Sequence, residues 1–580
     1  MLRRLQSDGP AGWVHRAARW GYVLRYHRKT QLAMRLVSVA RRWGRRSVAC
    51  QRATASPGKG PGVRNGETLG RFARWRLEER NPVESVRTTS AILEDRFHFL
   101  NEDRQLPDPV DWRLAAWPEV ARLWRFHLHY HEFLVDLAGQ AARTGERKWS
   151  DRAWGLVSQW IEANRSDDPL CMDDAWHPYC ISRRLPAWIA LWYTAAPPDD
   201  LRGRFLESLF WQARYLSRHL ERDLGGNHLL ENLRALILAA TFLDCPEADR
   251  WRRRSQRVLL REIPEQVLPH GEHFERSPMY HTAMLEAFLD IRDVARSDMP
   301  GLSRVCGETA GRMAEFLGSV LHPDGEIPLL GDSAFGEAAA ARSLLERAPE
   351  SVSCRTSFPH PQPLSRKRER GASLRSDVLE TAESTSSDAR CLGDYWVFRD
   401  GPDFLLFDAG PVGPDHLPAH AHADLLTFEA SVAGRRLFVD SGVFDYEDSP
   451  MRRYCRSTAA HNALVVDGQD QCDMWSRFRM GYRGWPRGFS CSTEGQFWWA
   501  RAEHNAYRRL RVPRVGRWLA CRPGGPWFCV DWAEGAGTHE MTSWLHLHPE
   551  VHATKIADRQ LELDHNGIRL WLRFLTPGEV

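Results

Sequence analysis

Apolar residues recur at helical spacing through the first half of the chain, and this pattern predicts helices from about residue 67 to residue 346. In the clearest stretch, 118–142, one face carries Leu123, Phe126, Tyr130, Phe133, Leu134 and Leu137. Gly and Pro separate it from seven further stretches: 154–161, 182–193, 205–220, 229–242, 251–262, 280–294 and 309–320. Their number and apparent pairing favour an incomplete (α/α) toroid over a regular solenoid, because no short repeat is visible.

The period of the pattern changes to two after residue 391, which indicates β-strands. Seven stretches between Gly, Pro and Asp turns fit strands: 395–399, 404–408, 425–432, 436–440, 463–467, 517–521 and 527–532. Strands that follow a run of helices indicate a second domain, and we expect an antiparallel β-sandwich.

Residues 349–388 lie between the two patterns and are rich in Pro, Ser and charge but poor in aliphatic side chains. This composition is typical of a linker or a disordered insertion. We therefore divide the chain into four parts. They are a basic N-terminal segment (1–64) that is partly helical or disordered, a toroid domain (65–348), the insertion (349–388) and a sandwich domain (389–580).

Composition excludes several classes of protein. The net charge is only +4, which gives no case for nucleic acid as a partner. No apolar run reaches the roughly 18 residues that suggest a membrane-spanning helix. The twelve cysteines contain no CxxC pair, so we expect reduced, mostly buried thiols.

The basic N-terminus lacks an apolar core followed by a small-residue cleavage site, so it does not match a signal peptide. Its apolar residues are spaced helically. Two alternatives stay open: an amphipathic helix that contacts a membrane surface or a partner, or a disordered basic tail.

Two polar clusters lie in the helical half. Gly225-Gly226-Asn227-His228 directly precedes a predicted helix, whose N-terminus favours an anion, although Asn227 taken alone is better explained as a cap. Residues 271–281 are unusually polar for a helix start. There Arg276 and two histidines would ease ionisation of Tyr280, although a lone Tyr is more often a packing residue.

A third cluster lies in the strand-rich half. His420, His422 and Asp424 alternate, so they share one face of an extended segment. Asp440 ends the next predicted strand and His461 opens another. Two histidines and an aspartate from adjacent strand ends make a plausible three-ligand divalent site, typically for zinc.

Six motifs occur in order along the chain: GNHLLEN, HGEHFERSPMYH, HPDGEIPLLGDS, HAHADLLTFEA, LFVDSGVFDY and RSTAAHNALVVDGQDQ. With WHPYCISRRLPAWI in the helical half, they resemble the heparinase II/III-like polysaccharide lyases and the related alginate and oligoalginate lyases, over roughly residues 124–531. The resemblance implies a toroid followed by a sandwich, an active site in the cleft between them, and an acidic polysaccharide or oligosaccharide as substrate. Such lyases commonly act in the periplasm or outside the cell, whereas the N-terminus leaves the cytoplasm open.

The chemistry of β-elimination explains the residue types that the resemblance singles out. Removing the C5 proton of a uronate requires its carboxylate to be neutralised, so that the developing enolate is stabilised. Asn227 and His228 match the neutralising positions, and Asn232 is a rival to Asn227 if the register shifts by one turn. Tyr280 matches the catalytic tyrosine, a base toward C5 or an acid toward O4, and His420 matches its opposite partner.

The resemblance also implies a metal site. His422, Asp440 and His461 match the metal positions, where a divalent ion, zinc by preference, would brace the loop that carries His420 and would not activate water. We further expect four residues to contact the substrate: Arg184, Glu275, Arg276 and Tyr446.

Our leading hypothesis is a lyase that cleaves an acidic polysaccharide by β-elimination and leaves 4,5-unsaturated uronyl ends. The main alternative is a non-catalytic glycan-binding or polysaccharide-assembly protein that keeps the cleft but not turnover. A third hypothesis, metal-dependent hydrolysis at His422, Asp440 and His461, ranks last because no glutamate is evidently placed as a base.

Overall fold

The computed structural model describes residues 19–22, 24–36, 61–64, 66–79, 82–115, 117, 119–349 and 387–575. The predictions for most of the insertion at 349–388 and for most of the segment 1–64 therefore fall outside the described residues. Among the described residues, no helix combines the length and the apolar character needed to cross a membrane.

Helices make up the N-terminal half of the fold. Their bounds are α1 (Glu67–Glu78), α2 (Pro82–Leu93), α3 (Arg122–Tyr130), α4 (Phe133–Thr144), α5 (Arg147–Ala163), α6 (Pro178–Thr194), α7 (Asp199–Arg218), α8 (Gly226–Phe242), α9 (Pro246–Gln266), α10 (Pro278–Val294), α11 (Pro300–Val320) and α12 (Ala341–Arg347). Four short strands accompany them: β1 (Gly62–Val63), β2 (Arg96–Phe99), β3 (Glu102–Gln105) and β4 (Leu243–Asp244).

Strands make up the C-terminal half, with one helix, α13 (Pro450–Cys455). Their bounds are β5 (Asp388–Leu392), β6 (Tyr395–Asp400), β7 (Asp403–Asp408), β8 (Phe428–Val432), β9 (Arg435–Phe438), β10 (Leu464–Val466), β11 (Met474–Trp475), β12 (Arg479–Met480), β13 (Pro486–Glu494), β14 (Phe497–His504), β15 (Arg514–Cys521), β16 (Trp527–Glu534), β17 (Met541–Ser543), β18 (His552–Ala557), β19 (Gln560–His565) and β20 (Ile568–Arg573). The largest sheets are β5-β6-β7-β8-β9, β13-β14-β15-β16 and β18-β19-β20, all antiparallel. The predicted fold class, helices followed by antiparallel sheets, is confirmed.

The stretch 118–142, predicted as one helix, is two helices. The chain turns at His131, whose φ of 59° is left-handed and ends α3. Trp188 donates a hydrogen bond from its indole nitrogen to His131 Nδ1 at 2.9 Å, which holds the buried turn in place. The apolar spacing continues across the break because both helices face the same core.

Helix α8 is the centre of the helical half, since every residue from 229 to 242 is buried. A helix that is buried on all sides belongs inside a fold, and α8 packs against α6, α9 and α10. Its buried charges are paired, as buried charges must be. Arg234 donates to Asp290 Oδ2 at 2.8 Å and to Glu231 Oε2 at 3.1 Å.

The five-stranded sheet lies between the four-stranded sheet β13-β14-β15-β16 and the helices. On β6, Trp396 and Phe398 pack into the sandwich core with residues of β14 and β15. Tyr395 and Val397 point the other way and pack on Phe316 of α11. This alternation follows the two-residue period of the sequence. One face of β6 packs on the sandwich and the other on the helices, so a single strand joins both halves.

The cysteine prediction is wrong at one pair. Cys391 of β5 and Cys491 of β13 form a disulfide that links the two sheets of the sandwich. The free cysteines among the described residues are mostly buried, as expected.

Candidate active site

Tyr280 and His420 lie face to face where the helical half meets the sandwich. Tyr280 is in the first turn of α10, where the N-cap Ser277 accepts a hydrogen bond from its backbone N–H, and His420 is in the loop between β7 and β8. Their ring centroids are 3.9 Å apart with an interplanar angle of 29°. The Tyr446 hydroxyl, from the loop after β9, lies 3.1 Å from that of Tyr280. The structure thus brings three of the sequence-predicted side chains together.

The Tyr280 phenol is held protonated. Burial raises its pKa well above the ordinary value, and the neighbouring Tyr446 raises it further. The expectation that Arg276 would ease this ionisation is wrong, because Arg276 pairs with Asp408 at 2.7 Å and covers the ring of Tyr395.

Asp332, in the loop between α11 and α12, anchors this centre and was not predicted. Its Oδ2 lies 3.0 Å from His420 Nδ1 and its Oδ1 2.8 Å from His422 Nε2. Arg452 of α13 pairs with both oxygens, at 2.8 Å for Nη2 and Oδ2. Burial alone would raise the pKa of Asp332, but Arg452 and the histidine hydrogen bonds hold it well below its ordinary value. The carboxylate is therefore ionised, although it is completely buried.

Glu275 holds the start of α8 against His420. The backbone N–H of Asn227 donates to Glu275 Oε1 at 2.8 Å. Gly226 has a φ of 51°, and a Cβ there would collide with the Glu275 carboxylate, so the position requires glycine. Glu275 Oε2 lies 3.3 Å from His420 Nε2 and has no hydrogen bond among the described residues.

His228 is supported by Glu221. Its Nδ1 lies 3.1 Å from Glu221 Oε1, and its ring packs on Tyr179 at 4.5 Å between centroids. Burial lowers the pKa of His228, but the Glu221 charge and hydrogen bond outweigh burial and raise it above its ordinary value. Asn232, the rival to Asn227, is fully buried and donates to Glu221 Oε2 at 3.0 Å. Asn232 therefore positions Glu221 from inside the core.

His422, Asp440 and His461 form a buried group whose ligand atoms lie within 4.8 Å of one another. His461 Nδ1 is 2.7 Å from Asp440 Oδ2. His422 Nδ1 and His461 Nε2 are buried without a hydrogen-bond partner, and burial lowers the pKa of His422 to about 4. Burial would also lower the pKa of His461, but the Asp440 charge instead raises it above its ordinary value. Two imidazole nitrogens without partners, beside a carboxylate, suit a metal ion, which would displace the proton of His461 on binding.

A second group of possible metal ligands lies far along the chain in the three-stranded sheet and the turn before it. His548, Glu550 and His565 also have ligand atoms within 4.8 Å of one another. This group is more open, because the Glu550 side chain is 63% exposed and His565 Nε2 already faces it at 3.5 Å.

Two of the predicted substrate contacts, Arg184 and Arg276, bind protein acceptors in the structure. Arg184 is completely buried in the helical core, where it donates to Gln212 Oε1 and to the carbonyls of His129 and Ala175 at 2.7–2.8 Å. Arg276 is 7% exposed and joins the two halves through Asp408. Both guanidinium groups are bound by protein acceptors, so the structure gives each of them a part in holding the fold together.

Glu275 was also predicted to bind substrate, and it is 2% exposed. Its carboxylate contacts Asn227 and His420 instead, so the structure gives it a positioning role. Arginines and acids in a polar motif look alike in the sequence, whether they face a cleft or close a domain junction.

Two protein-family models match this chain. The heparinase II/III N-terminus model matches residues 64–358, and the heparinase II/III-like C-terminal model matches residues 387–579. The chain belongs to the heparinase II/III-like family. The resemblance inferred from the motifs is thereby confirmed.

Curated relatives in this heparinase II/III-like family include heparin-sulfate lyases. The chain is 29% identical to that of Pedobacter heparinus over 385 residues, which cover 62% of this chain and 54% of the relative. It is 22% identical to that of Bacteroides thetaiotaomicron over 427 residues, which cover 67% and 59%. The chain thus spans little more than half the length of the curated relatives it matches.

Solved structures of the family share the fold. Heparinase III superposes with a TM-score of 0.60 at 17% identity, covering 88% of this chain and 82% of that one. A mutant heparan sulfate lyase from Pedobacter heparinus gives 0.52 at 19% identity, covering 86% and 80%. At these identities the likeness concerns the architecture, a helical region followed by antiparallel sheets.

Proposed function

We propose that this chain cleaves an acidic, uronic-acid-containing polysaccharide by β-elimination and leaves 4,5-unsaturated uronyl ends. The observation that carries the proposal is the stacking of Tyr280 on His420 at 3.9 Å, at the junction of the two halves. The lyase names of the relatives support it, since they describe enzymes that act on a glycosaminoglycan.

The reaction breaks the C5–H and C4–O bonds of a uronate. A base takes the C5 proton, the electron pair forms the C4–C5 double bond, and the departing O4 takes a proton from an acid. The carboxylate beside C5 must be neutralised, so that the charge that grows on it is stabilised. His228, whose pKa Glu221 raises, and Asn227, in the first turn of α8, supply this function.

His420 suits the base and Tyr280 the acid. Asp332 engages His420 Nδ1, so the C5 proton goes to Nε2, and Glu275 Oε2, 3.3 Å from Nε2, stabilises the imidazolium that forms. Tyr280 keeps its proton because its pKa is raised, and it donates that proton to O4 as charge develops there. Each transfer contributes about 10²–10⁴-fold to the rate.

Uronate polymers provide the direct test. Purified protein is incubated with heparan sulfate, alginate, hyaluronan and bacterial exopolysaccharides, while the ultraviolet absorbance of the unsaturated product is followed. Mass analysis must show products without added water, because hydrolysis would add it. A folded protein that binds a polymer and releases no product would instead support the non-catalytic alternative, and saturated products would support hydrolysis.

Glu221→Gln is expected to lower the pKa of His228, because the amide cannot stabilise an imidazolium as the carboxylate does. His228 then loses its proton at lower pH, and the alkaline limb of the activity profile moves the same way. Titration of the His228 imidazole by NMR measures the shift. Glu207→Gln, at an exposed position of α7, is the matched control. Equal His228 midpoints in wild type and Glu221→Gln contradict the assignment.

We propose that His422, Asp440 and His461 hold a divalent ion, zinc by preference. Two imidazoles and a carboxylate are ligands that zinc favours. When bound, the ion would fix His422 and therefore the loop that carries His420, two residues away.

His461→Ala is expected to remove one zinc ion per chain, measured by elemental analysis after dialysis. The thermal midpoint should fall as well, because an ion that binds the folded state stabilises it. His565→Gln, at the second group, shows whether that group adds to the count. Equal zinc contents in wild type and His461→Ala would refute the site.

A further inference from the structure

A polar cavity of about 310 Å³ opens at the junction of the two halves. The helical half contributes the start of α3 and the loop before it, and the sandwich contributes the two loops that contain Glu447 and Arg477. Its lining consists of Glu119, Val120, Ala121, Arg122, Arg125, Glu447 and Arg477.

We propose that this cavity is an anion-binding subsite. It takes one carboxylate or sulfate group of the polysaccharide, on a sugar unit next to the one that lies at Tyr280 and His420. The subsite rests on the proposed function for its substrate, and its binding can be measured without turnover.

On the sandwich side, the cavity directly adjoins the candidate active site. The rings of Tyr446 and Phe478 stack with centroids 5.8 Å apart, and the Tyr446 hydroxyl reaches Tyr280. Glu447 follows Tyr446 in the chain and Arg477 precedes Phe478. Since consecutive Cα atoms are about 3.8 Å apart, the cavity begins one residue away from the aromatic pair.

On the helical side, a row of aromatic contacts leads to the same centre. The Arg122 guanidinium lies 4.8 Å above the Phe126 ring, and Phe126 lies 4.9 Å from the ring of His177. His177 caps α6 by accepting the N–H of Tyr179, whose ring packs on His228. Both walls of the cavity are therefore continuous with residues assigned to substrate.

The arginines retain donors for a ligand. A guanidinium has five N–H donors in a fork that matches carboxylate and sulfate oxygens. Arg122 donates to the Asp173 carbonyl at 3.1 Å, and its side chain is 47% exposed. Arg477 pairs with Glu447 at 2.6 Å and is 41% exposed.

Glu447 shows that a carboxylate fits here, because its Oε1 accepts the backbone N–H of Arg122 at 3.2 Å while its Oε2 meets Arg477. Arg125 is engaged by Asp174 at 2.9 Å. With Asp174 counted, three arginines face three carboxylates, so the charges balance and the donors left open on Arg122 and Arg477 are what a ligand can use. The subsite therefore suits a single anionic group and disfavours a densely sulfated stretch.

The test compares Arg122→Gln and Arg477→Gln with wild type for binding of heparan sulfate and of chemically desulfated heparan sulfate. A Tyr280→Phe background keeps the polymer intact, and calorimetry gives the Kd. Each substitution is expected to weaken binding about tenfold, since each removes a charge-assisted contact. Arg304→Gln, on α11 with a side chain 74% exposed, is the matched control and should bind as wild type does.

Glu447→Gln provides a test in the opposite direction. It removes the competing carboxylate, so binding should tighten several-fold, a result that unfolding cannot mimic.

In the arginine variants, a larger loss of affinity for the sulfated polymer identifies the anion as sulfate, and equal losses for both polymers identify it as carboxylate; both results support the subsite. Unchanged Kd values in both arginine variants, or a wild type that binds neither polymer, overturn it. If binding depends on the arginines but the protein that keeps Tyr280 forms no product, the subsite is retained and the proposed lyase activity is overturned.

Discussion

Tyr280→Phe is expected to lower turnover of a uronate polymer by about 10²–10⁴-fold, the contribution of one positioned proton-transfer group. Phe keeps the ring that stacks on His420 and removes only the hydroxyl that lies 3.1 Å from Tyr446. Loss of one neutral hydrogen bond changes the free energy of unfolding by about 1 kcal/mol. The variant should therefore stay folded while its rate of product formation falls by the factor given above.

Tyr193→Phe is the matched control for this experiment. Its hydroxyl lies 3.5 Å from the Arg64 carbonyl on the far side of the helical half, and its ring packs on Phe242. The control should turn over substrate at the wild-type rate. Full activity in Tyr280→Phe would contradict the acid role, and equal losses in both variants would point to destabilisation instead.

Apolar residues recur about every 3.6 residues in a helix and every two residues in a strand, and a short stretch of sequence is enough to show either period. Local patterns therefore predicted the elements of the fold. The alternation in β6 is an example: it assigned a strand, and the structure uses both of its faces. The break at His131 escaped prediction because a left-handed residue between two helices leaves the apolar spacing intact. What stabilises the turn is Trp188, far along the chain.

The candidate site was predicted only as far as single motifs allow. Tyr280, His420 and the histidines near them stand in motifs that the family resemblance marks. Asp332 stands in such a motif too, in LLGDS, yet its partners lie 88 and 120 residues further on. A carboxylate that serves three distant side chains has no local signature.

The same limitation explains why the motifs did not distinguish arginines held inside the fold from arginines that line the junction of the two halves. Only five of the 79 basic residues are lysine, so an arginine near a motif carries little information about its role. Arg184 and Arg276 are buried with protein acceptors, whereas Arg122 and Arg477, outside the quoted motifs, line the cavity. Which arginine lines the junction is decided by how the two halves meet.

Asp332→Ala is expected to have the largest effect on stability. The substitution leaves the guanidinium of Arg452 buried without its carboxylate and removes the acceptor of both His420 and His422. Removing one partner of a buried ion pair lowers the free energy of unfolding by about 3–5 kcal/mol. Turnover should fall as well, because His420 loses the group that orients its ring. Urea unfolding gives the first quantity, and product absorbance of the folded fraction gives the second.

The pH dependence of the stability loss distinguishes the loss of the Asp332 charge from the loss of packing at a cavity. The pKa of Asp332 is depressed in the folded protein, so its stabilisation is present above the unfolded pKa of about 3.9 and is lost as pH falls toward the folded value. The stability difference between wild type and Asp332→Ala should therefore shrink in acid, whereas a difference due to lost packing would persist. Asp448→Ala is the control, because its partner Arg453 and Asp448 itself are more than half exposed, and exposed pairs contribute little. A midpoint for Asp332→Ala that matches this control would show that the buried carboxylate does not hold the two halves together.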